Sequence, residues 1–170
     1  MSSQEHIFEM LRKGEKVTLE CKRASQKLPN SVWETYSAMA NTYGGIILLG
    51  VDEVKTEKDW KKRYPIVGLA DAEKVRVDFW NLLNDTEKVN INLLIDEDVE
   101  IVQVEGKDII AVHVPQADYH QKPVFVNGNM NKGTSTCGRH AHAQTASRSH
   151  DQHDYTCRLH AEWCSEGGEA

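Results

Sequence analysis

Ser37-Ala38-Met39-Ala40-Asn41-Thr42-Tyr43-Gly44-Gly45-Ile46-Ile47-Leu48-Leu49-Gly50-Val51-Asp52-Glu53 reads as the end of a helix, a Gly-Gly break, an apolar strand and an acidic exit. Small side chains at Ser37, Ala38 and Ala40 let a helix lie close to a sheet. Gly44 and Gly45 supply the backbone freedom that ends the helix and reverses the chain. Ile46 to Leu49 is a continuous apolar run, the pattern of a strand covered on both faces. Asp52 stands where that strand emerges, which is where sites tend to be built.

Outward from this block, the other elements fall into place by periodicity. His6 to Lys13 reads as a short helix stopped by Gly14, and Val17 to Cys21 alternates as a strand. Lys22 to Asn30 is a polar, partly basic loop containing Pro29. Asn30 or Ser31 caps the next helix, with Glu34 in its first turn. Trp33, Tyr36 and Ala40 share one face of it, which predicts an amphipathic helix with both aromatics in the core. Glu53 to Pro65 is densely charged and reads as mobile. Ile66 to Leu69 returns to the core, and Asp71 starts a second amphipathic helix through Val75, Phe79, Leu82 and Leu83. Val99–Val104 and Asp108–Val114 flank Glu105-Gly106-Lys107, a hairpin signal. Val124 to Val126 predicts a further short strand turned by Asn127-Gly128-Asn129. The expected fold is α/β: a mixed sheet with helices packed on it and antiparallel late strands.

A chain of 170 residues suggests one domain with a real core. A formal charge of -6 argues against a uniformly basic nucleic-acid binder but leaves room for a local basic patch. No run of 18 apolar residues exists to span a membrane, and Met1 to His6 lacks the features of a secretory signal. The four cysteines show no CxxC pairing, so free thiols and a soluble, cytoplasmic protein are expected.

From Thr134 the apolar periodicity disappears, and five of eight histidines and three of four cysteines lie beyond it. We read residues 1–133 as the domain and 134–170 as a flexible or aberrant tail. His140, His142, His150, His153, Cys157 and His160 invite a zinc reading, but they lack any finger or ribbon spacing.

Two further classes find no support. No G-x-x-x-x-G-K-[ST] loop is present, which argues against nucleotide hydrolysis. His113, between Val112 and Val114 in a strand, reads as structural or surface, and no Ser/His/Asp or Cys/His arrangement stands out.

Thr18-Leu19-Glu20-Cys21-Lys22, the Ser37–Glu53 block and Ile66-Val67-Gly68-Leu69 together resemble the AlbA-like domain of the Schlafen superfamily. Its pattern runs E-F-K, S-A-F-A-N-T-x-G-G-x-L-x-x-G-V-x-D and V-x-G. A G-K-x-hydrophobic strand, a P-V-Y-V-x-G turn and a basic G-[ST]-x-R element follow. Gly106-Lys107-Asp108-Ile109-Ile110, Pro123–Gly128 and Lys132-Gly133-Thr134 are similar to these, whereas Ser135-Thr136-Cys137-Gly138-Arg139 departs from the last. The resemblance covers roughly residues 10–135. It implies a DNA- or RNA-binding module of a transcriptional regulator, without a cofactor.

Phosphate binding needs cations along a groove. Lys22, Arg23 and Lys27 follow the first strand, and Lys132 and Arg139 lie in the late glycine-rich element. The resemblance implies that both regions border one surface, where Gly128 and Gly133 would let backbone N–H groups approach phosphate. Its alternative implication is a ribonuclease using Glu15, Glu20 and Asp52 to hold Mg²⁺ or Mn²⁺, since hard carboxylate oxygens suit these ions. Against that, Glu15 suits a surface turn and Glu20 suits an ion pair with Lys22. The binding module is the preferred reading. Animal relatives pair two such lobes in one chain, so a single lobe implies a homodimer.

Overall fold

The strands β1 (Leu19–Lys22), β2 (Gly45–Leu49), β3 (Val99–Val104) and β4 (Lys107–Val114) form one sheet in the order β1-β2-β4-β3. These elements come from a computed structural model that describes residues 2–14 and 17–135. β1 and β2 run parallel, whereas β4 pairs antiparallel with both β2 and β3. The sheet is therefore mixed, with the Gly45–Leu49 strand inside it, as the sequence predicts.

The helices are α1 (Ser3–Lys13), α2 (Ser31–Asn41), α3 (Trp60–Arg63) and α4 (Ala72–Leu83). Alternation along the strands feeds two separate apolar layers. Ile47, Leu49, Ile110 and Val112 pack with Trp33 and Tyr36 of α2 and Phe79 of α4. Leu48, Ile109 and Val102 pack with Ile7 and Leu11 of α1 and with Tyr64 after α3. This double cover explains why β2 reads as an unbroken apolar run.

Local chemistry sets the element ends. Ser2 Oγ accepts the Glu5 N–H and Glu5 Oε2 accepts the Ser2 N–H, a capping box that starts α1. Asp71 caps α4 by accepting the Lys74 N–H. At the break after α2, Gly44 has φ 72°, and a Cβ there would lie 2.6 Å from the Val114 carbonyl oxygen. Only glycine fits that approach. Glu105 and Gly106, both with positive φ, form the two-residue hairpin turn between β3 and β4.

Four local expectations are corrected. α2 is not amphipathic: between Val32 and Ala40 every residue but Glu34 is buried. Its outer side is covered by chain that the sequence places far away, including Ile91, Leu93 and Val124. Asn30 sits at the α2 N-cap, yet its side chain makes no cap hydrogen bond. The segment 53–65 is built rather than mobile. Asp59 caps α3, Arg63 Nη2 pairs with Glu53 Oε1 at 2.8 Å, and Trp60 meets Phe8 edge-on at 5.7 Å. Finally, Val124–Val126 joins no sheet; Phe125 and Val126 form only isolated bridges, to Thr134 and Val89.

Candidate nucleic-acid interface

The loop after β1 is pinned at two apolar points, Ala24 and Leu28, which both enter the core. Between and beside these pins, Arg23, Gln26 and Lys27 stay exposed. The loop encloses a depression of about 400 Å³ lined by Lys22, Arg23, Ser25, Lys27 and Ser31 among others. Its rim is cationic although the whole chain is acidic.

The cations in this region are not equivalent. Lys22 Nζ lies 2.7 Å from Glu20 Oε1, and both side chains are mostly covered, at 16% and 15% exposure. They stand two residues apart on one side of β1, so each neutralises the other locally. Arg23 is 65% exposed, with Nη1 3.5 Å from Asp52 Oδ2. Lys27 and Lys132 are exposed and have no ion pair among the described residues.

The acidic positions are engaged in the same way. Asp52 Oδ1 accepts the N–H of Glu53 while Oδ2 faces Arg23. Glu53 Oε1 accepts from both Nε and Nη2 of Arg63, which holds the Arg63 guanidinium charged above its ordinary range. Glu15 and Arg139, together with the His/Cys-rich stretch from Cys137 onward, lie outside the described residues. Among the described residues no three His, Cys, Asp or Glu side chains are grouped as a metal site would need. A cation at Glu20 would have to displace the Lys22 ammonium.

The glycine-rich loop 127–133 reaches the first loop through a residue that sequence reading missed. Lys88 Nζ donates to Asn30 Oδ1 and to Asn127 Oδ1, each at 3.4 Å, and the Asn127 N–H donates to the Lys88 carbonyl at 2.9 Å. The start of α2 and the turn carrying Lys132 are thus tied together. Inside that turn, Asn129 Oδ1 accepts the N–H groups of Asn131 and Lys132. The Gly133 N–H donates to the Asn129 carbonyl at 2.6 Å. Gly133 therefore closes the loop and does not offer its N–H outward as the sequence suggests.

Ser37, Asn41 and Asn90 position this whole segment. Ser37 Oγ donates to the Val124 carbonyl and accepts the Ser135 N–H, at 2.7 and 3.0 Å. Asn41 Oδ1 accepts the Val124 N–H, and Asn90 Oδ1 accepts the Phe125 N–H. Sequence reading assigned Ser37 only a small size. The available signal was a polar pair, four residues apart, flanking the apolar run Ala38-Met39-Ala40, because buried polar groups need partners. Trp33 and Tyr36 are core, as expected: Trp33 stacks on Phe79 at 5.2 Å, and the Tyr36 hydroxyl donates to the Ile91 carbonyl and accepts the Leu93 N–H. Burial pushes the Tyr36 phenol up to about 12.

Residues 15–145 match the family described as Schlafen, AlbA_2. Among solved structures, the N-terminal domain of an ATP-dependent DNA helicase RecG-related protein from Nitrosomonas europaea is similar, with a TM-score of 0.57 and 27% identity. That match covers 90% of this chain and 99% of the solved domain. The DIP2311 protein from Corynebacterium diphtheriae gives a TM-score of 0.41 and 17% identity over 68% of this chain and 20% of its own, too slight a likeness to bear on the fold. No curated protein matches the chain in sequence. The family match spans well over half the chain and meets the mixed, helix-covered sheet its motifs imply; the protein belongs to the Schlafen AlbA_2 family.

Proposed function

We propose that the chain is a nucleic-acid-binding module that contacts phosphates through the 23–30 and 127–133 loops. The observation that carries this reading is the Lys88 bridge. It ties the two loops at one end of α2, so that Arg23, Lys27, Lys88 and Lys132 belong to one joined assembly on an otherwise acidic chain. The family supports the reading, as does the likeness to a domain from a protein named for its relation to a DNA helicase. In this reading the module serves a transcriptional regulator in the cytoplasm, needs no cofactor and works as a homodimer that doubles a short binding surface. Among the described residues no helix is long and apolar enough to cross a membrane.

The test is fluorescence anisotropy of the full chain against labelled DNA and RNA over a salt series. The logarithm of affinity falls linearly with the logarithm of salt, by about 0.9 per phosphate neutralised on duplex DNA. Lys27→Ala combined with Lys132→Ala lowers that slope by about 2 and weakens unrelated sequences equally. Absence of binding to any DNA or RNA at low salt defeats the proposal. A light-scattering mass of one chain, on the order of tens of micromolar protein, removes the dimer but not the module.

A further inference from the structure

The chain from Ala117 to Asn127 runs back along α2 from its end to its start. The Ala117 N–H donates to the Ala40 carbonyl at 2.8 Å, Val124 is held by Ser37 and Asn41, and Asn127 is tied through Lys88 to Asn30. α2 has 11 residues, hence a length of about 16 Å at 1.5 Å per residue. One end of this path carries the cationic loops. The other end carries aromatic rings that the mechanism proposed above leaves unused.

Tyr119 is 81% exposed and Tyr43, at the same end of α2, is 60% exposed. Neither hydroxyl has a hydrogen-bond partner among the described residues. The rings stand on ordered backbone. Asp118 Oδ1 accepts the N–H groups of His120 and Gln121, Gln121 Oε1 accepts the Asp118 N–H, and Lys122 N–H donates to the Asp118 carbonyl. The Asp118 carboxylate is thus engaged within its own turn. His120 meets the Tyr119 ring edge-on at 5.7 Å, bracing it from one side. Tyr43 precedes Gly44, whose backbone packs against Val114 to Gln116, so both tyrosines are tied to the chain leading into this turn.

A tyrosine ring exposed on an ordered turn offers a flat π-face at low conformational cost, and unpaired bases present the matching face whatever their sequence. Bases paired within a duplex do not. We propose that Tyr119, on this ordered turn, stacks on unpaired bases, so that the module selects single-stranded over duplex nucleic acid. This rests on the binding function proposed above and adds the form of its ligand.

The experiment titrates the full chain against a labelled single strand of about 12 nucleotides and against the duplex of the same sequence, at equal salt. The single strand binds tighter. Tyr119→Ala weakens it by about five- to a hundredfold while leaving its salt slope and the duplex affinity unchanged. Tyr119→Phe keeps the π-face and stays within about twofold of the parent chain. Equal affinity for the two forms, or a Tyr119→Ala chain that holds the single strand as well as the parent, overturns the inference and leaves the binding module standing. Failure to bind either probe overturns both. Because Tyr119 is exposed, an unchanged melting curve for the variant excludes misfolding as the cause.

Discussion

Asn41 grips Val124 on both sides of its backbone: Oδ1 accepts the Val124 N–H at 2.8 Å and Nδ2 donates to the Val124 carbonyl at 2.8 Å. The same Nδ2 reaches the Ser135 carbonyl at 2.8 Å. One side chain does here what a neighbouring strand does in a sheet, so both backbone polar groups of Val124 are satisfied although it joins none. Asn90 completes the same two peptide groups, accepting the Phe125 N–H and donating to the Pro123 carbonyl. Asn41→Asp keeps the shape and the acceptor but loses the bonds that Nδ2 donates to Val124, Ser135 and Ser37, and sets a carboxylate against two carbonyl oxygens. We expect a loss of about 2–4 kcal/mol, read as a lower urea midpoint at unchanged slope. An unshifted midpoint would show that the clamp contributes nothing.

Ala40 tests the closeness of α2 to the sheet. It is fully buried in the layer shared with Ile47 and Leu49, and its carbonyl accepts the Ala117 N–H. Ala40→Leu forces extra volume into that layer and lowers stability by about 1–3 kcal/mol. Thermal unfolding measures it. A variant that melts with the parent would mean a looser seam than the packing indicates.

Arg23 and Asp52 form an ion pair at 3.5 Å on the rim of the proposed surface. Asp52→Asn removes the negative charge and frees the guanidinium for phosphate. Exposed pairs of this kind are worth about 0.2–1 kcal/mol, so nucleic-acid affinity should rise by about 1.5- to 5-fold at low salt, with the gain shrinking as salt rises. Arg23→Ala should do the opposite. If Asp52→Asn instead abolished a Mg²⁺-dependent RNA cleavage, the carboxylates would have a catalytic use and the binding reading would need revision.

Tyr36 gives the fold a pH dependence at the alkaline end. Its phenol is raised from 10 to about 12 by burial, opposed in part by the Leu93 N–H donated to it. The folded state therefore holds the proton where the unfolded chain has lost it. The contribution is fully present below pH 10 and is lost as pH rises towards 12, on the order of 2–3 kcal/mol in all. Tyr36→Phe leaves the Ile91 carbonyl and the Leu93 N–H unpaired, which costs about 1–3 kcal/mol at neutral pH. It also flattens the fall between pH 10 and 12. Parallel stability curves for the two chains across that range would contradict this account.

The sequence by itself determined the elements whose periodicity is local. Gly45–Leu49 had to be an interior strand because its apolar run is unbroken, and the 99–114 hairpin announced itself by alternation around Glu105-Gly106. The α4 helix followed from Asp71 and the spacing of Val75, Phe79 and Leu83. The candidate surface was half legible, since clustered lysines and arginines are visible in a string of letters. Only the tertiary structure decided which of them keep their charge for a partner. Lys22 meets Glu20 across one strand face, Arg23 meets Asp52 29 residues away, and Lys88 joins Asn30 to Asn127. The tertiary structure likewise decided that Ser37 and Asn41 hold Val124, and that the charged 53–65 stretch is ordered by Asp59, Trp60 and Arg63. Periodicity is a property of neighbours along the chain, whereas a hydrogen bond or an ion pair between residues 83 apart exists only once loop closure has brought them together.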